Sequence, residues 1–267
     1  MKISILGCGW LGFPLAKKLL EDGFSVNGST TSIEKISVLE KDGINSFLIS
    51  VSEDGIDGNM HLFLENSDVL IIDIPPKLRS SNSENFVQKI KNLMPFIEKS
   101  SVEKVLFISS TSVYSDDLSL SEITENTQPQ PNSESGKQLL ETENILQSNP
   151  NFKTTIVRFG GLFGEDRNPI KYLAGRKNVE NPDAPINLIH QKDCIGIIEK
   201  IIETQNWNEI FNAVAPFHPT RKEHYTEKAV EQNLEIPEFD YSKASVGKSI
   251  DSSKTERILK YNFQIKP

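Results

Sequence analysis

The stretch 2–23, "KISILGCGWLGFPLAKKLLEDG", limits the possible folds more than any other part of the chain. A short apolar run ends in Gly7. Leu11, Leu15, Leu19 and Leu20 then recur at helical spacing until Gly23 closes the element. Gly7, Gly9 and Gly12 spell GxGxxG at this strand-to-helix junction. There the first glycine permits a tight turn, the second lets backbone approach a pyrophosphate, and the third lets helix and strand pack closely. The exposed N–H groups of the turn, including those of Trp10 and Leu11, combine with the positive end of the helix to suit an anion. A bare glycine-rich turn is the competing reading, and a dinucleotide site is the better one.

The rest of the chain repeats this alternation. Apolar runs at 24–29, 44–51, 68–76, 104–115, 154–161 and 209–215 alternate with helical patterns at 32–42, 85–100, 134–148 and 189–205. Near-continuous apolar strands between amphipathic helices predict an α/β chain, a Rossmann-type doubly wound parallel sheet of about seven strands. The expected organisation is a dinucleotide-binding core over 1–161, completed by 187–215. Segments 162–186 and 216–267 are expected to form a small substrate-side subdomain.

Composition excludes some functions. The net charge of −8 and the absence of a long Lys/Arg run argue against a nucleic-acid partner. No apolar stretch nears the roughly 20 residues that span a bilayer, and the run before Cys8 is too short for a signal peptide of about 15–30 residues. A cytoplasmic protein with two reduced thiols, Cys8 and Cys194, is expected. His190 and Asp193 stand i, i+3 at a helix start with no third ligand nearby, so they are read as capping and loop-fixing residues and no metal site is expected.

The end of the second strand bears on which dinucleotide fits. An NAD site usually places Asp or Glu there to accept from the ribose hydroxyls. Here "VNGSTTSIEK" (26–35) offers Ser29, Thr30, Thr31 and Ser32 first, with Lys35 nearby and Glu34 arriving late. Hydroxyls and a lysine suit a 2′-phosphate that a carboxylate would repel, so NADP is preferred over NAD. Helix capping by the same hydroxyls is compatible with that role.

Later segments add a resemblance. "FISSTSVYS" (107–115), "ENTQPQPNSESGKQLLETE" (125–143), "VRFGGLFGEDRNP" (157–169) and "NLIHQKDCIGIIEKII" (187–202) together resemble the extended short-chain dehydrogenase/reductases, the NAD-dependent epimerase/dehydratase group. "GWLG", the "SGK" helix and "FNAVAPFHPTRKEHY" (211–225) are similar to its atypical, YeeZ-like branch. The resemblance implies a catalytic Ser110, four residues before Tyr114, and a Lys137 that holds the nicotinamide ribose. It implies that Ile74 and Pro75, in "IDIPPKLR" (72–79), shape the wall beside that ribose. It also implies an unidentified small-molecule substrate, polar or like a sugar nucleotide, and a homodimer formed through the active-site helices.

One departure stands out. The family's working motif is Tyr-x-x-x-Lys, and four residues before Lys137 stands Ser133. A phenol titrates near 10 and a cationic neighbour lowers it, whereas an aliphatic hydroxyl is a poor proton donor. Tyr114, whose family position is structural packing, and Tyr172 are the alternative phenols. Arg158 and Arg167 are candidate clamps for a substrate phosphate, though surface ion pairs explain either equally well. Arg221 is a further cleft candidate, while His218 and His224 belong to a helix entry capped by Thr220 and Glu223. Two functions follow: an oxidoreductase or epimerase with a modified proton relay, or a non-catalytic dinucleotide-binding sensor or partner-binding protein.

Overall fold

The structure, a computed structural model, describes residues 1–76 and 84–267. Residues 77–79 of the proline-bearing wall segment therefore lie outside the described residues. The main sheet has seven strands: β1 Lys2–Leu6, β2 Ser25–Thr30, β3 Asn45–Leu48, β4 Val69–Ile72, β5 Lys104–Ser110, β6 Lys153–Phe159 and β7 Ile210–Ala213. All pair in parallel, in the order β7-β6-β5-β4-β1-β2-β3. The order reverses at β1, and an open α/β sheet binds its ligands at such a switch point, outside the C-terminal strand ends.

The helices are α1 Gly12–Glu21, α2 Ile36–Lys41, α3 Met60–Leu64, α4 Phe86–Glu98, α5 Glu134–Gln147, α6 Gln191–Thr204, α7 Arg221–Glu231 and α8 Ser253–Leu259. Strand β4 shows why the apolar runs are unbroken. Val69 and Ile71 face the core built with α1 and α6, while Leu70 and Ile72 face the core built with α3 and α4. Side chains alternate across a strand, so a sheet covered on both faces needs apolar residues at every position.

A smaller apolar cluster of Ile170, Ile186, Leu188, Tyr225 and Ala229 lies apart from both cores. The stretch 216–267, expected wholly in the substrate-side subdomain, divides instead. Its α7 joins that small cluster, whereas Leu259 and Tyr261 join the core under α1 and α6. Asp193, fully buried, fixes the tail by accepting from the Tyr261 hydroxyl at 2.8 Å and the Gln264 N–H at 2.7 Å. His190 caps α6 by accepting the Lys192 N–H, and Thr220 with Glu223 forms a complete capping box on α7. Among the described residues no helix is long and apolar enough to cross a membrane.

Candidate functional site

The glycine turn is built for close approach. Gly7 sits at φ +110°, a conformation that L side chains rarely adopt. Its N–H donates to the Ser29 hydroxyl at 2.9 Å. A Cβ at Gly12 would stand 2.2 Å from the Gly7 carbonyl oxygen, so a side chain there would push α1 off β1. A Cβ at Gly9 would meet nothing within 4 Å, which leaves the approach over the turn open. No side chain caps α1 at Leu11, but its first-turn N–H groups are taken: Gly12 donates to Asp73, Phe13 donates to the Gly9 carbonyl, and Pro14 has none. This leaves the turn's Trp10 and Leu11 N–H groups and the positive helix end.

Beside the turn lies a groove of about 310 Å³, lined by Gly7, Gly9, Ser29, Thr30, Thr31, Ser32, Lys35, Asp73, Ile74, Pro75 and Lys89. Most of the expected cofactor residues are thereby brought together. The geometry sorts the hydroxyls. Ser29 and Thr30 are buried, Ser29 accepting from Gly7 and Thr30 from the Ser32 N–H at 3.2 Å. They shape the turn as acceptors, and each hydroxyl keeps its own proton. Thr31 and Lys35 are exposed along the groove. Glu34 does not line it, and its carboxylate accepts from the Ser32 hydroxyl. Lys89, paired with Glu84, is a groove residue that sequence reasoning missed, because α4 joins the groove only through packing.

Asp73 was also missed. Burial raises its carboxyl from the ordinary 3.8 to about 7, opposed only by a hydrogen bond from the Gly12 N–H. A titratable acid therefore stands beside the glycine turn. Burial, reinforced by the Asp73 charge, pushes the Cys8 thiol up to about 12. Both cysteines are free and buried.

A second cleft, of about 340 Å³, opens at the ends of β5 and β6. Ser110, Ser112, Asp116, Gly160, Gly161, Asn187, Arg221, Tyr225 and Lys248 line it. Ser110 is where the sequence placed it, its Oγ accepting the Ser112 N–H at 3.2 Å. The first turn of α5 lies against this segment: a Cβ at Gly136 would fall 2.2 Å from the Ser112 carbonyl oxygen. Lys137, in that turn, is exposed and makes no ion pair or side-chain hydrogen bond among the described residues.

Several expectations are overturned here. Ser133 is the N-cap of α5, its hydroxyl accepting the Gly136 N–H at 3.1 Å, and it lines neither cleft. Tyr114 is 2% exposed, and its hydroxyl is bound by Arg158 at 2.6 Å and Asn212 at 3.1 Å. It is packing, not a replacement acid, and burial pushes its phenol above the ordinary range. Arg158 cannot clamp a substrate, since it is buried and its donors are taken by Glu143 and Tyr114. Arg167 lies over the Trp10 ring at 5.1 Å and lines a separate hollow beside α7. Tyr172 is exposed and outside the Ser110 cleft.

Trp10 has its own structural duty. Its indole N–H donates to Asp166 at 2.7 Å, and its carbonyl accepts from Gln191 at 2.6 Å, strapping the glycine turn to the 164–167 turn. Of the three arginines only Arg221 faces the Ser110 cleft, joined there by Tyr225 one helical turn later.

No family model matches the sequence. Protein YeeZ of Escherichia coli K12 is 32% identical over 265 residues, which span 98% of this chain and 96% of YeeZ. Among solved structures, a UDP-glucuronic acid 4-epimerase variant from Bacillus cereus, in complex with UDP-4-deoxy-4-fluoro-glucuronic acid and NAD, has a TM-score of 0.83 at 18% identity. The match covers 100% of this chain and 95% of that one. MoeE5 in complex with UDP-glucuronic acid and NAD has a TM-score of 0.78 at 18% identity, with the same coverage. The epimerase and MoeE5 share the fold of the chain, and its full-length likeness to YeeZ sets its kinship: it belongs to the YeeZ family.

Proposed function

We propose that the chain binds a nicotinamide dinucleotide, NADP in preference to NAD, with its pyrophosphate over the Gly7–Gly9–Gly12 turn. The open approach at Gly9 over the glycine turn carries this reading. The residues fit the group: the Trp10 and Leu11 N–H groups of the turn and the positive end of α1 suit the pyrophosphate, and Thr31 and Lys35 suit the 2′-phosphate, with no carboxylate beside them on β2. NAD complexes of the epimerase and of MoeE5, which share the fold, support the dinucleotide. The dinucleotide supplies or accepts hydride when bound.

The Ser110 cleft then holds a small polar substrate for oxidoreductase or epimerase chemistry. Ser110 orients its reacting oxygen, and Lys137 binds the ribose. With Ser133 committed to a helix cap, the phenol available to that oxygen is Tyr225, which lines the cleft with Arg221 one turn before it. In a reduction, the Tyr225 hydroxyl would give its proton to the carbonyl oxygen of the substrate. The loss of tyrosine at 133 favours a second reading, in which the dinucleotide is bound without turnover and the chain serves as a redox sensor or partner-binding protein.

Fluorescence titration with NADPH and NADH tests binding. Saturable enhancement with NADPH is expected, and no response to either nucleotide overturns the proposal. Single-turnover oxidation of bound NADPH against carbonyl and sugar-nucleotide panels then separates the readings. Oxidation that Tyr225→Phe abolishes supports the enzyme; inertness across the panels supports the sensor.

A further inference from the structure

The Ser110 cleft is lined by a buried donor that no group among the described residues accepts. Arg221 Nε is buried and has no hydrogen-bond partner among the described residues. The guanidinium lies 5.8 Å from the Tyr225 ring centroid, a contact that fixes the group without satisfying its N–H donors. A buried donor left unpaired costs free energy, so such a group calls for a partner. Lys248 lines the same cleft. It is 9% exposed, and its Nζ donates to the Tyr114 carbonyl at 2.9 Å and to Asp116 at 2.8 Å. An ammonium has three protons, so one remains.

Ser110 accepts from the Ser112 N–H and keeps its own hydroxyl proton to donate. Asn187, by contrast, is consumed by structure: its amide donates to the Lys248 carbonyl at 2.8 Å and accepts from the Ile250 N–H at 2.9 Å. Asp116 is the anionic group among the lining residues, and Lys248 already neutralises it. What is left over is a guanidinium whose Nε–H is unpaired, an ammonium proton and a serine hydroxyl. A ligand rich in acceptors, carrying negative charge, matches that set.

The cleft measures about 340 Å³, room for a small metabolite.

We infer that the Ser110 cleft binds a small organic oxyanion, a carboxylate or phosphoryl group, with Arg221 as its principal partner and Lys248 and Ser110 as supporting donors. The inference rests on the reading of this cleft as the substrate end of the dinucleotide site, and it assigns that substrate a chemical class. A planar guanidinium presents paired N–H groups to two oxygens of one oxyanion, which a lysine does not.

The test follows the Arg Nε–Hε resonances by NMR during titrations of the intact protein with malonate and, separately, inorganic phosphate. Sodium chloride at matched ionic strength is the control. A saturable shift beyond the chloride response is expected for one anion or both, and the tighter of the two identifies the source of the oxyanion. Arg221→Lys is expected to weaken binding by about tenfold or more, with Lys248→Met weakening it less. Both variants are first checked for native circular dichroism and melting. Absence of a saturable shift in the wild type, or one unchanged by Arg221→Lys, overturns the inference. NADPH titration of the same samples keeps the two ideas apart. Failure there removes the dinucleotide reading, while failure of the anions with NADPH binding intact removes only this one.

Discussion

Glu143 of α5 and Arg158 of β6 form a two-point ion pair at 3.0 and 2.6 Å, with side chains 1% and 3% exposed. The pair also collects the Ser109 hydroxyl, which donates to Glu143 at 2.6 Å, and the Tyr114 phenol. It thus ties α5 to the two strands that end at the Ser110 cleft. Removing one member leaves a buried charge unpaired, so Glu143→Ala is expected to cost about 3–5 kcal/mol. The double variant Glu143→Leu, Arg158→Met should recover part of that loss. Urea denaturation measures both; a cost for Glu143→Ala below that of an ordinary surface change would contradict the pairing.

The glycine turn makes opposite predictions for two neighbours. Gly12→Ala forces a Cβ against the Gly7 carbonyl and should destabilise the fold by about 1–3 kcal/mol. Gly9→Ala meets open space and should leave stability within about 0.5 kcal/mol. It should nevertheless weaken NADPH binding by about tenfold or more, because the new methyl occupies the pyrophosphate approach. Melting temperature and NADPH fluorescence, measured together, separate the two effects.

Asp73 makes both stability and binding depend on pH. Its carboxyl is raised on folding from 3.8 to about 7, so between those values the folded chain holds a proton that the unfolded chain has released. Stability from this group is full below 3.8 and is lost as pH rises to about 7. Asp73→Asn should therefore be more stable than wild type above pH 7, with the difference shrinking toward pH 4. Dinucleotide affinity should also fall as pH rises through about 7, because the ionised carboxylate faces the pyrophosphate. A wild-type affinity as flat with pH as that of Asp73→Asn would refute the placement.

Nucleotide preference should turn on Lys35. Replacing it with Glu sets a carboxylate where the 2′-phosphate is expected and should lower the NADPH-to-NADH affinity ratio by about tenfold or more. Parallel titrations with the two nucleotides give that ratio directly.

Much of the molecule was legible without coordinates because its signals are local. Gly7, Gly9 and Gly12 stand at a strand-to-helix junction, the apolar runs have strand length, and Thr220 with Glu223 signs a helix start three residues apart. Ser110 was readable from the resemblance of one continuous segment. Arg158 was misread for the opposite reason. Whether an arginine meets a substrate or a carboxylate depends on what a distant element brings beside it, and Glu143 lies on a different element. Lys248 enters the Ser110 cleft from far along the chain and carries no motif, and Ser133 looked like a displaced catalytic residue until its hydroxyl was found capping α5.

The sequence by itself determined that this chain forms a doubly wound sheet with a glycine turn at its switch point, since periodicity and turn chemistry act over a few residues. Only the tertiary structure decided which polar side chains remain free to bind. Burial and pairing are set by neighbours distant in sequence, and they spent Arg158 and Tyr114 on the fold while leaving Arg221 turned toward the cleft.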